Sequence, residues 1–233
     1  MLHGLGSAGP AWWRIGSDLA ARSIPSLAPD LRGHGGSPHP EDLRVESYAR
    51  DVTATCPGPW DLVIGHSLGG AVAVAACASS PSFAEALLLV DPAIDLPPAV
   101  HAQLREDLTA EATEPPSVAY LLAANPRWAT EDARHKREAI LATGPEVMQG
   151  TFDDNDPWRS GDQLVDLDIP VHILGADPVR EALFEADLFE RLRGRRADLT
   201  FEVIRGAGHS IYRDDPEAVL DASLSLLANV PGR

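Results

Sequence analysis

Residues 62–84 carry no Asp, Glu, Lys or Arg over 23 positions, and no other feature of the chain limits its fold as tightly. A stretch of that length is long enough to cross a bilayer. Its internal order argues against that reading. It opens on Leu62 and β-branched Val63-Ile64, passes through Gly65-His66-Ser67-Leu68-Gly69-Gly70, turns small and alanine-rich, and carries Ser79, Ser80, Pro81 and Ser82 near its end. The pattern predicts a buried strand, a tight turn and a buried helix. A strand buried on both faces belongs in a parallel sheet covered by helices.

Further short apolar runs fit the same sheet: Ala86-Leu87-Leu88-Leu89-Val90, Val171-His172-Ile173-Leu174 and Phe201-Glu202-Val203-Ile204. Helix-like stretches follow at 71–78, 181–192 and 216–228, the last with Asp215 placed to cap and Pro216 suited to the first helical position. Strand and helix alternate, which predicts an α/β fold with a doubly wound, mostly parallel sheet whose chemistry sits in loops at the strand C-termini. The alternation breaks over 93–165. There the pairs Pro97-Pro98 and Pro115-Pro116 punctuate helix-like segments at 101–109, 117–124 and 131–142, the last behind a Thr130 cap, with no strand-like run. The expected organisation is a core of residues 1–92 and 166–233 with an inserted helical cap, 93–165, that shapes a pocket. Pro231-Gly232-Arg233 is expected to fray.

With 19 Lys+Arg against 35 Asp+Glu, the net charge of −16 repels nucleic-acid backbones and anionic membrane surfaces, so neither partner is expected. Cys56 and Cys77 form neither a disulfide framework nor a metal or redox motif. No basic n-region and apolar core open the chain, and the expected setting is cytoplasmic.

Chemistry concentrates at the turn. Gly65-His66-Ser67-Leu68-Gly69 is a G-x-S-x-G motif between a strand and a small-residue helix. That context lifts a serine hydroxyl out of strained backbone and aims helix N–H groups at charge developing during attack. A serine needs a base and a group to orient it. Of eight histidines, His209, in Gly206-Ala207-Gly208-His209 after the last strand, occupies the loop where a base belongs. His66, next to Ser67, points away and is expected to pack. Two acids each end an expected strand: Asp177, the preferred one, and Asp91, the alternative. Either can accept a hydrogen bond from His209.

These residues, together with Leu2-His3-Gly4-Leu5-Gly6 and Asp30-Leu31-Arg32-Gly33-His34-Gly35-Gly36-Ser37, make the chain resemble an α/β-hydrolase fold enzyme of the cap-bearing, serine esterase-like kind. The resemblance spans almost the whole chain. It implies a Ser67, Asp177, His209 triad, with the backbone N–H groups of Leu5 and Leu68 as oxyanion hole. Trp12 and Trp13 are candidates to line the acyl pocket. Serine at the nucleophile position argues against the epoxide hydrolases and haloalkane dehalogenases of this fold, which use aspartate. The expected activity is hydrolysis of a small carboxylic ester through an acyl-enzyme, with a small-molecule substrate and no metal or organic cofactor. Alternatives are a carbon–carbon bond hydrolase, a cofactor-free haloperoxidase-like enzyme, or a slow or non-catalytic small-molecule receptor. The sequence leaves the oligomeric state and the substrate open.

In this fold the oxyanion loop ends a central strand, yet only Met1 and Leu2 precede His3. N-terminal strands are therefore expected to be missing, leaving a gap between a strand at 24–28 and that at 62–64. Roughly 20 to 30 upstream residues with an apolar β-run would fill it.

Overall fold

The computed structural model describes residues 1–230; the expected fraying of 231–233 lies outside them. In chain order the elements are α1 (Trp13–Ala21), α2 (Val45–Thr55), β1 (Val63–His66), α3 (Leu68–Ser79), β2 (Leu87–Val90), α4 (Pro98–Thr113), α5 (Val118–Ala124), α6 (Thr130–Asp153) and α7 (Gly161–Val165). They continue with β3 (Val171–Gly175), α8 (Ala186–Arg193), β4 (Thr200–Val203), α9 (Ile211–Asp214) and α10 (Pro216–Leu227). The four strands pair in the order β1-β2-β3-β4, all parallel.

Because successive strand side chains point to opposite faces, the apolar runs feed two cores at once. Val63, Leu87, Leu89, Val171 and Ile173 pack with the side chains of α2 and α3 on one face. Ile64, Leu88, Val90 and Leu174 pack with Trp12, Ile15 and Val219 on the other. Leu87 to Val90 are completely buried, each contributing on the order of 1.5–3 kcal/mol, which anchors the strand ends from which the loops spring.

The helices adjust the expected boundaries. Asp215 caps α10 by accepting the Ala218 N–H, as its position suggests. The third helix of the insertion starts from an Ala129 cap, with Asp132 accepting the Ala129 N–H, so that Thr130 is its first residue and not its cap. It also runs on to Asp153 across a kink. Gly144 has φ 72° and ψ 164°, a positive φ that glycine permits with the large ψ that suits a residue before proline, and this is where the sequence pattern breaks. Glu181, expected to open a helix, takes φ 61°, and α8 starts only at Ala186.

Residues 93–165 leave the sheet and return to it through a narrow neck. Asp95 and Arg159 form an antiparallel bridge, Leu96 N–H donates to Trp158 O, and Trp158 Nε1 donates to Ala93 O. No described helix is long and apolar enough to cross a membrane.

Beside β1, Leu2 forms an isolated parallel bridge with Gly65. Leu2 N–H donates to Ile64 O and Leu2 O accepts His66 N–H, while the Met1 ammonium donates to Leu27 O. Residues 24–28 form no strand, contrary to expectation. They border a cavity of about 260 Å³ lined by Met1, Ile24, Leu27, Leu62 and Ile64 among others.

Candidate active site

Ser67 sits between β1 and α3 at φ 52°, ψ −120°, a backbone shape that costs a non-glycine residue on the order of 1–3 kcal/mol. Packing holds it there. A Cβ on Gly65 would lie 2.4 Å from Gly69 O, and one on Gly69 would lie 2.3 Å from Leu2 O, so only glycine lets the helix approach the strand ends. Leu68 opens the helix, and its N–H and that of Leu5 are hydrogen-bonded to no other described group. Both residues line the same cavity as Ser67.

His209 reaches this cavity from the β4–α9 loop. Its Nδ1 donates to Asp91 Oδ2 at 2.6 Å. The sequence favoured Asp177 as this partner, and the structure places Asp91 there instead. Both aspartates follow strands that lie side by side, with Val90 in register with Leu174, so either loop begins close enough. What separates them is where each carboxylate turns. Asp91, at φ 39° and fully buried, faces His209 and also accepts the N–H groups of Ala176, Leu183 and Phe184. Asp177 folds back onto its own loop, accepting from Gly206 N–H at 2.7 Å and Val179 N–H at 3.3 Å, with Arg205 3.6 Å away. Those two amides, Gly206 foremost, hold its carboxyl below the usual carboxylate range. Its bonds brace the loop that carries His209.

Donation from Nδ1 fixes the His209 tautomer and leaves Nε2 as an acceptor. Ser67 Oγ makes no hydrogen bond among the described residues, although both side chains line the cavity. His66 packs as expected: its ring lies 4.6 Å from that of His209, and its Nε2–H donates to His209 O. Burial, followed by the charges of His209 and Arg213, pushes the His66 imidazolium well below its ordinary range, which keeps this brace neutral.

The cavity measures about 110 Å³. The segment between β2 and β3 supplies part of its wall through Leu104, Leu108, Lys136, Phe152 and Trp158. Trp12 and Trp13 do not line it. Trp12, in the turn just before α1, is buried against Tyr212, 4.6 Å ring to ring, and Trp13, the first residue of α1, is partly exposed with Nε1 donating to Asp132 of α6. Sequence reading missed Ser7, Lys136 and Arg213, all on the cavity wall. The signal for Arg213 was its place four residues after His209; Lys136, inside a helix-like stretch of an acidic chain, carries no such signal.

Residues 1–222 match the alpha/beta hydrolase family. Lipase LipV of Mycobacterium tuberculosis is 38% identical over 98 residues, 41% of this chain and 37% of that protein, so the match spans well under half of the relative's length. Among solved structures, a thermophilic esterase from Thermogutta terrifontis with malate bound superposes with a TM-score of 0.77 at 25% identity, covering 98% of this chain and 88% of that one. The esterase RhEst1 from Rhodococcus sp. ECU1013 superposes with a TM-score of 0.78 at 19% identity, covering 98% and 89%, a likeness of fold.

Proposed function

The chain belongs to the alpha/beta hydrolase family, and from that premise we propose that it cleaves a small carboxylic ester through a covalent acyl-serine. The observation that carries this reading is the 2.6 Å bond from His209 Nδ1 to buried Asp91, in a histidine that shares its cavity with a strained, glycine-framed serine. Ser67 Oγ attacks the ester carbonyl as His209 Nε2 takes its proton. Asp91 holds the imidazole in the required tautomer and stabilises the imidazolium that forms. The free amides of Leu5 and Leu68 receive the developing oxyanion, a term that typically dominates such catalysis. His209 then protonates the leaving alcohol, and water, deprotonated by the same nitrogen, releases the acid. The Ser67–His209 bond forms when substrate fills the cavity, as is common where resting geometry is loose. Residues 93–165 act as a cap over the site, and the small cavity favours short acyl groups.

Fluorophosphonate labelling tests the reading. The wild-type protein is expected to be labelled at Ser67 and to hydrolyse short methyl and nitrophenyl esters. Ser67→Ala and His209→Ala should each fall by about 10⁶-fold in kcat with unchanged circular dichroism, since the two act as a unit. Ester turnover persisting in purified Ser67→Ala would refute the mechanism.

A further inference from the structure

Arg213 is only 2% exposed, yet no carboxylate of the described residues pairs with it. Its neighbour Asp214 is committed elsewhere, accepting from Trp128 Nε1 and Gly208 N–H. The guanidinium stacks between the rings of Trp128 and Tyr212, at 4.7 and 4.9 Å. Its hydrogen bonds are two long contacts, to Ser7 Oγ at 3.4 Å and Ser210 Oγ at 3.5 Å, and its Nε is buried with no partner. A buried charge left so incompletely satisfied calls for a counter-ion.

It lines the cavity that holds Ser67 and His209, and a second cation stands on the same wall. Lys136 Nζ lies 2.9 Å from Glu111 and approaches Gly6, 3.7 Å from where a Cβ there would stand. Lys136 is thus already balanced by Glu111, whereas Arg213 is not. Asp91 does not balance it, for that carboxylate lies behind His209, off the cavity wall, held by three amides and the imidazole. The two cations flank the loop Leu5-Gly6-Ser7, whose first residue offers the oxyanion amide. An anion there would sit within a few bonds of a carbonyl held on Ser67. In a chain of net charge −16, whose surface repels anions, one uncompensated cation inside the site reverses that bias locally.

We infer that this cavity selects esters whose acyl group carries a second carboxylate, with Arg213 as its principal counter-ion, Ser7 as a hydroxyl donor and Lys136 assisting. The substrate class is a half-ester of a short dicarboxylic acid, because a volume of about 110 Å³ leaves room for few carbons between the two carbonyl groups. This rests on the serine-hydrolase reading, and the test separates the two. Monomethyl succinate and methyl 4-methylpentanoate have nearly the same shape and differ in charge. Their kcat/KM values are measured by methanol release, with fluorophosphonate labelling of Ser67 run in parallel.

Wild-type protein is expected to prefer the charged ester at least tenfold. Arg213→Met should lower the charged-to-neutral ratio at least tenfold, and Arg213→Lys should restore part of it, a split that a purely structural stacking role would not produce. If Arg213→Met fails to fold, the wild-type ratio and protection of Ser67 from labelling by free succinate decide the matter. A labelled wild-type enzyme that prefers the neutral ester, or is not protected by succinate, overturns the carboxylate site and leaves the serine mechanism standing. Absence of labelling overturns both.

Discussion

Replacing Asp91 by asparagine changes one atom and forces a choice that the geometry makes calculable. Asp91 Oδ2 serves Leu183 N–H and His209 Nδ1, and Oδ1 serves Ala176 N–H and Phe184 N–H. The amide NH₂ of asparagine must take one of these positions. At the Oδ1 position it faces two amide donors, and at the Oδ2 position it faces one. Each buried donor left unsatisfied costs about 1–3 kcal/mol, so the second orientation wins. It then donates to His209 Nδ1, moves the ring proton to Nε2, and removes the acceptor that Ser67 needs. The expected outcome for Asp91→Asn is a fall of about 10⁴-fold in kcat, the cost of a wrong tautomer in a serine triad. A stability loss of about 1–3 kcal/mol for the orphaned Leu183 amide should accompany it. Asp177→Asn keeps an acceptor for Gly206 and should lose less than tenfold in kcat. Ester kinetics with urea melts of both variants, each verified by circular dichroism, check this. An Asp91→Asn enzyme within tenfold of wild type, or an Asp177→Asn enzyme that is the worse of the two, would refute the assignment.

Other outcomes follow from the same contacts. Gly69→Ala should destabilise by about 1–3 kcal/mol or fail to fold, because its Cβ would stand 2.3 Å from Leu2 O and 2.6 Å from His3 O; an unchanged urea midpoint would contradict this. Trp158→Ala, which empties the neck of the insertion and leaves Ala93 O without its donor, should cost about 3–5 kcal/mol in the same assay. His3 and His34 are both fully buried, and burial foremost lowers their imidazolium groups to about 4 and about 3. His3 is further committed, with Nδ1 donating to Gly4 O and Nε2 accepting from Leu31 N–H, so protonation would break a bond. Both groups bind a proton more readily when unfolded, near 6.5. Their contribution is therefore full above that pH and is lost as pH falls toward the folded values, by about 2 kcal/mol each at pH 5. Urea midpoints at pH 7.5 and 5 should differ accordingly, and equal midpoints would refute the reading.

The elbow was legible in the sequence because its causes are local. A β-branched run, a glycine-framed turn and an alanine-rich helix constrain one another within 23 residues, and backbone sterics leave Ser67 in one conformation. The parallel sheet was legible for a similar reason, since each apolar run reports burial on both faces. His209 followed from its glycine loop after the last strand. The partner of His209 did not follow. Asp91 and Asp177 follow adjacent strands, Asp177 two residues further along the register, and the outcome turns on whether the Leu183 and Phe184 amides or the Gly206 amide captures each carboxylate, contacts 92, 93 and 29 residues apart in the chain. Trp12 and Trp13 likewise took their places from contacts with Tyr212 and Asp132, 200 and 119 residues away. The cations of the site were the least legible. A lysine and an arginine in an acidic chain read as solvated charges, and only long-range packing brings Lys136 to Gly6 and Arg213 to Ser7, 206 residues earlier. Local sterics and periodicity are written in neighbouring residues, whereas the charge balance of a cavity is a sum over elements that meet only once the chain has folded.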